Sequence, residues 1–128
     1  MEPALSAGSG YFVPSGPQGD HLFFCVLGPV VINGVESLLS VPVCSVRGNR
    51  FDDHTCLIEQ GEHSFLKHQS FVSYAQARVD EVAVVERHLA SKYFRSAESA
   101  SSDLQQKILE GLKVSTRVPR YIKDAWLK

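Results

Sequence analysis

The chain has 128 residues, 44% of them hydrophobic and 21% charged, which is the size and composition of one globular domain and excludes a disordered, collagenous or coiled-coil protein. Its formal charge of −1 hides an asymmetry: residues 1–64 hold two bases against seven acids, a net of −5, and residues 65–128 hold eleven bases against seven acids, a net of +4. The basic half is the side that an anionic partner would meet.

No apolar run approaches the ~18 residues that a membrane span needs, and the chain opens on Met-Glu-Pro-Ala rather than on a basic and then an apolar segment. A cytoplasmic protein without membrane contact is therefore expected. Cys25, Cys44 and Cys56 cannot all pair within one chain and are read as reduced thiols.

Residues 1–18 interleave glycine, proline and serine, with apolar residues grouped around Tyr11-Phe12-Val13, and read as a flexible N-terminal arm ahead of a single domain over 19–128. Leu22 to Leu27 is a short run rich in aromatic and β-branched residues between Asp20 and Gly28-Pro29, the pattern of a buried strand. Val30-Val31-Ile32 leads into Asn33-Gly34, a strong hairpin signal, and the chain returns through residues 35–46 with Leu39, Val41, Val43 and Ser45 on one face. A polar loop over 47–54 precedes a strand over 55–59 and a turn at 60–62. Residues 70–79 predict one more strand, bent near Ala75 and Ala77. Residues 81–93 fit two descriptions: Val82, Val85 and Leu89 make a helical stripe, while Val82-Ala83-Val84-Val85 also suits a strand.

Ser102-Asp103-Leu104-Gln105 has the spacing of a capping box, and Leu104, Ile108 and Leu112 then recur every four residues on an amphipathic helix. Pro119 opens a last short helix in which Tyr121, Ile122, Ala125 and Trp126 dock on the core. Short antiparallel strands followed by helices give an α+β fold, mainly β with a C-terminal helix. Closing such strands into a small barrel would remove their exposed edges.

Two stretches then point to a family. Leu39-Ser40-Val41-Pro42-Val43-Cys44-Ser45 resembles the Val-Pro-(Val/Ile)-Thr-Ser strand of the MazF/PemK-like toxins, and Phe65 to Tyr74 resembles their Leu-x-Lys-x-Ser-(Tyr/Phe)-Val segment. The capped helix stands where that family has one. The resemblance covers residues 19–114 and implies a small SH3-like barrel that forms a homodimer and cuts single-stranded RNA without a metal or cofactor. Two positions depart from the pattern. The family's catalytic threonine falls on Cys44, and of its Arg-x-Gly-Asp entry into the first strand Gly19-Asp20 is present, with Pro17 where the arginine would be. A working nuclease would need a substituted site, because function lives in the site and not in the barrel.

Metal-free RNA cleavage needs a base for the 2′-hydroxyl proton, an acid for the departing 5′-oxygen, and cations for the charge that grows on phosphorus. The segment from Ser45 to His68 holds all three types. Arg47, His54 and Ser45 are the expected catalytic set, and Arg50, His63, Lys67 and His68 the expected nucleic-acid contacts. The same residues also suit an ordinary solvated loop. His54, Cys56, His63 and His68 mix imidazole and thiol as zinc ligands do. The spacing lacks a Cys-x-x-Cys or a helical His pair, and Cys56 sits in an apolar strand, so no metal is expected. Cys44 beside a histidine would make a nucleophile, and with Val43 and Val46 around it packing is the plainer reading. Residues 107–128 hold six bases against Glu110 and Asp124, with Tyr121 and Trp126 between them. That pattern suits either a base-stacking, phosphate-tracking surface or a solvated helix with two core anchors.

The expected function is that of a MazF/PemK-like barrel acting on or binding RNA, as a metal-independent endoribonuclease. A second reading, of a different class, makes the barrel a catalytically silent interaction module, dimeric or bound to an antitoxin-like protein. The two are told apart by whether Arg47, His54, His63 and Lys67 converge on one site.

Overall fold

The computed structural model describes residues 4–127, apart from the Gln18 side chain, so residues 1–3 of the expected arm and Lys128 of the basic stretch lie outside the described residues. A long hairpin of β2 (Asp20–Ile32) and β3 (Val35–Ser45) is the spine of the sheet. Its tip is Asn33-Gly34, with φ of 51° and 81°, the backbone that a two-residue turn matched to the strand twist requires. Alternation along β2 sends Leu22, Phe24 and Val26 to one face and Phe23 and Cys25 to the other, and all five are buried. On β3, Leu39, Val41 and Val43 join the first face and Leu38 the second. Burial on both faces is why the sequence here is a continuous apolar run instead of an alternating one.

β1 (Gly10–Pro14) pairs β2 on one side and β7 (Arg95–Ala97) on the other. It falls within the 1–18 segment expected as a flexible arm, and that expectation does not hold for these five residues. Tyr11 is fully buried, stacks against Phe23 and Phe94 with centroids 6.4 and 5.7 Å away, and has its hydroxyl 2.6 Å from Ser40 Oγ.

Beyond β3 the strands are shorter than expected. β4 is Leu57–Ile58 alone. Residues 70–81 form two strands in place of one bent one: β5 (Ser70–Val72) pairs Val43–Ser45, β6 (Arg78–Glu81) pairs Ser37–Ser40, and a 3-10 turn at Tyr74–Gln76 steps between them. The order is β4-β5-β3-β2-β1-β7 with β6 also on β3. The end strands do not pair with each other, so the sheet is not a closed barrel.

The ambiguous segment forms helix α1 (Val82–Ala90), whose Val85 and Leu89 pack on the face that holds Tyr11 and Phe94. α2 (Ser102–Val114) covers the opposite face with Leu104, Ile108 and Leu112, each 2% exposed or less. Its cap is Ser101, one residue before the expected Ser102: the Ser101 hydroxyl oxygen accepts from the Leu104 N–H at 3.1 Å. α3 (Arg120–Trp126) buries Ile122 and half-buries Trp126, while Tyr121, 61% exposed, is not the core anchor expected. Cys25, Cys44 and Cys56 are free thiols. No helix among the described residues is long and apolar enough to cross a membrane.

Gly111 of α2 lies close against Tyr74. The Tyr74 hydroxyl donates to the Ile108 carbonyl at 2.7 Å, and a methyl group on Gly111 would lie 2.9 Å from Tyr74 Cζ and nearer still to that hydroxyl. Alanine normally gains about 1 kcal/mol over glycine inside a helix. Here overpacking outweighs that gain, and Gly111→Ala is expected to lose a net ~1–2 kcal/mol in denaturant unfolding. Part of the loss should return in the Tyr74→Phe background, which removes the crowding oxygen. Ile108→Ala, which leaves a cavity instead, should cost about 2–5 kcal/mol. A stabilised Gly111→Ala would show that α2 does not seat on Tyr74.

Candidate nucleic-acid interface

β3 and β5 end beside each other at the pair Ser45↔Ser70, and this register brings the residues just before β5 to the residues just after β3. One result is a hydrogen bond of 2.7 Å between Ser45 Oγ and His68 Nε2. The pair lies on a groove of about 1050 Å³ that is also lined by Arg47, Arg50, Phe51, Phe65, Lys67 and, from the far end of the chain, Arg117. Asp20 and His21 from the start of β2 and Gln76 from the 3-10 turn line it as well.

The loop 47–54 has no strand partner, and two adjacent carboxylates fix its shape. Asp52 accepts from the Arg47 N–H at 3.2 Å and the Gly48 N–H at 2.7 Å. Burial pushes its pKa up, but the backbone N–H groups of Arg47, Gly48 and Asn49 outweigh this, and with the His54 charge they hold it below the ordinary carboxylate range. Asp53 accepts from the Thr55 N–H at 2.9 Å and from the Ser115 hydroxyl at 3.0 Å. Burial raises its pKa too, and the Thr55 and Ser115 bonds with nearby Arg117 bring it below the ordinary value. Arg117 then donates to the Phe51 carbonyl at 2.9 Å and the Arg50 carbonyl at 3.3 Å, which ties the loop to the segment after α2.

Of the residues expected to act, Ser45, Arg47, Arg50, Lys67 and His68 all line the groove. Two histidines do not. His54 is exposed beside Asp52 and is not part of the lining. His63 is 3% exposed and packs edge-on to Phe24. Its Nε2 donates to the Glu98 carbonyl at 2.8 Å and its Nδ1 accepts from the Phe65 N–H at 3.1 Å. With both ring nitrogens bonded to backbone, His63 is a satisfied packing residue and lies off the groove. Of the four residues expected on one site, Arg47 and Lys67 line the same groove, together with His68, and His54 and His63 do not.

Cys44 lines the groove half-buried, with its thiol 3.8 Å from Gln76 Oε1. Burial pushes its pKa up, only partly offset by Arg47, so the thiol is protonated and a poor nucleophile at neutral pH. Among the described residues no group of three or more His, Cys, Asp and Glu gathers where it could hold a metal. The acids on the groove are already engaged: Asp52 by its backbone amides, and Asp20 by Arg95 at 2.6 Å. In the basic C-terminal stretch Lys107 pairs with Glu62 and Arg120 with Asp124, and Arg117 alone of its described bases lines the groove. Its part in the groove had no local signal, because the contact with Phe51 spans 66 positions in sequence.

Twelve chains among solved structures match this fold. One, from the MazE–MazF complex of Deinococcus radiodurans in crystal form II, has a TM-score of 0.52 and 18% identity over 87% of this chain and 93% of that chain. Another, from form III of the same complex, has a TM-score of 0.52 and 19% identity over 86% of this chain and 94% of that one. The fold is MazF-like. No protein-family model and no curated protein matches the chain.

Because Asp52 has a folded-state pKa below its unfolded value of about 3.9, its bonds add stability that is complete above that value and disappears as the pH falls through the folded value. The thermal midpoint of the wild-type protein should fall as the pH drops below about 4. Asp52→Asn should start lower at pH 7 and lose less on acidification, and parallel melting curves from pH 7 to pH 3 would contradict the role given to these bonds.

Proposed function

We propose that the chain binds single-stranded RNA in this groove and cleaves it by attack of the ribose 2′-oxygen. The observation that supports this best is the Ser45–His68 hydrogen bond on a groove that Arg47, Arg50, Lys67 and Arg117 also line. With His68 Nε2 unprotonated, the Ser45 hydroxyl donates to it, and a bound ribose would replace that donor with its 2′-hydroxyl. His68 Nε2 then takes the 2′-proton, the 2′-oxygen forms a bond to phosphorus, and the bond from phosphorus to the 5′-oxygen breaks. The departing oxygen takes a proton from His21, and the products carry a 2′,3′-cyclic phosphate and a 5′-hydroxyl. Arg47 and Lys67 balance the negative charge that grows on the phosphoryl oxygens, and Ser45, released from His68, donates to one of them. Cys44, in the place of the family's threonine, takes no part.

The test is incubation of purified protein with mixed-sequence RNA, with and without EDTA, followed by analysis of the product ends. Cleavage in both conditions, with cyclic phosphate ends, is expected. Arg47→Ala and His68→Ala should each lower the rate by roughly 100-fold or more while leaving affinity within a few-fold, since an interaction strengthened in the transition state acts on kcat. RNA binding without cleavage, with a steep salt dependence, would make the groove a binding site alone.

A second reading rests on the comparison structures, which are MazE–MazF complexes. In it the chain works by holding an antitoxin-like protein, as one member of a homodimer, and absence of both RNA binding and cleavage would favour it.

A further inference from the structure

We propose that Phe51 and Phe65 are stacking platforms for the unpaired bases of that RNA, with Arg117 and His63 holding them in position. This rests on the groove being an RNA site, and it assigns the part of the site that reads bases instead of phosphates. Both rings line the groove, and both are unusually open for phenylalanine, 67% and 50% exposed. Neither is on a loose segment. Arg117 donates to the carbonyls of Arg50 and Phe51, and Asp52, next in the chain, is bonded to the start of the same loop. The Arg50 guanidinium sits 5.0 Å from the Phe51 ring centroid. A base on Phe51 would thus meet a flat ring already backed or edged by a cation, which suits both its π-face and its attached phosphate.

Phe65 is fixed from two directions. Its N–H donates to His63 Nδ1, and that ring is itself held by the Glu98 carbonyl. Its own ring packs edge-on to Phe12 at 4.7 Å, and Phe12 is covered by the Arg95 guanidinium at 4.9 Å. A rigid exposed ring loses little freedom when a base stacks on it, so its exposure in the free protein is recovered on binding. Phosphates of the bound strand would lie against Arg47 and Lys67 on the same groove. Every base has a π-face, and paired bases already stack on each other, so the chemistry selects unpaired nucleotides with little preference for sequence.

Binding is measured with three probes of equal length made with 2′-O-methyl sugars, which cannot be cleaved by 2′-attack: a base-bearing single strand, an abasic single strand and a duplex. Wild-type protein should bind the base-bearing strand about tenfold more tightly than the abasic strand or the duplex, within the range for one or two stacked bases. Phe51→Ala and Phe65→Ala should each erase much of that difference while leaving affinity for the abasic strand and its salt dependence unchanged. Phe51→Tyr, which keeps the ring, should retain the difference, and since Phe51 is largely solvent-exposed none of its variants should unfold the chain. Equal wild-type binding to base-bearing and abasic strands would overturn the stacking role while leaving the groove an RNA site, as would Phe51→Ala and Phe65→Ala variants that both keep the preference. Binding to none of the three would remove the RNA reading itself, and the stacking role with it.

Discussion

A loop with no ladder to hold it presents two of the groove's four Arg and Lys side chains, and its shape depends on two neighbouring carboxylates. Asp52 turns back to the start of the loop and collects the N–H groups of Arg47 and Gly48, while Asp53 turns outward to the Thr55 N–H and the Ser115 hydroxyl. Consecutive residues thus close the loop on itself and fasten it to the segment after α2. Buried carboxylates are costly unless bonded, and the 6% and 4% exposure of Asp52 and Asp53 is tolerable because their oxygens are occupied. This arrangement sets the place of Arg47 at the loop's start, and with the Arg117 guanidinium on the Arg50 and Phe51 carbonyls it fixes the loop from both sides.

The same pair explains why the charge asymmetry of the sequence is a poor map of the surface. The N-terminal half is acidic by composition, yet three of its acids, Asp20, Asp52 and Asp53, are engaged with Arg95, with backbone amides and with Ser115. Their charge is balanced locally. The arginines of that half, Arg47 and Arg50, remain on the groove and are joined there by Lys67 and Arg117 from the basic half. The folded chain therefore concentrates positive charge where its two halves meet, an outcome that depends on pairing and not on totals.

What could be read from the sequence was what repeats over short distances. The apolar run of β2, the Asn33-Gly34 turn and the Leu104, Ile108, Leu112 stripe carry their own periodicity and were legible in advance. The MazF-like strand placed Ser45, and its pairing with the segment before β5 brought His68 to it. The strands β1 and β7 were not legible, and β4 was expected over 55–59 but is two residues long, because elements of two to five residues have too few positions to show a period or fix their ends and are held by partners far along the chain. His63 was misread for a related reason. A histidine in a polar segment signals a ligand or a packing residue equally, and the deciding facts, the Glu98 carbonyl and the Phe24 ring, lie 35 and 39 residues away. The cap of α2 slipped by one position within a row of serines, each of which can serve chemically, so that geometry alone selected Ser101.

The groove is also coupled to the core through α2. The helix seats on the sheet with Gly111 against Tyr74 and with Leu112 fully buried, and it ends at Ser115, whose hydroxyl reaches Asp53 and accepts the Arg117 N–H. The position of Arg117 over the loop thus follows from how closely α2 approaches Tyr74. A glycine at that contact permits the approach, and any residue with a larger side chain would lift the end of the helix from which Ser115 and Arg117 hang. Core packing and site geometry are then one constraint: the residue that lets α2 lie close to the sheet also sets where the guanidinium that anchors Arg50 and Phe51 can reach.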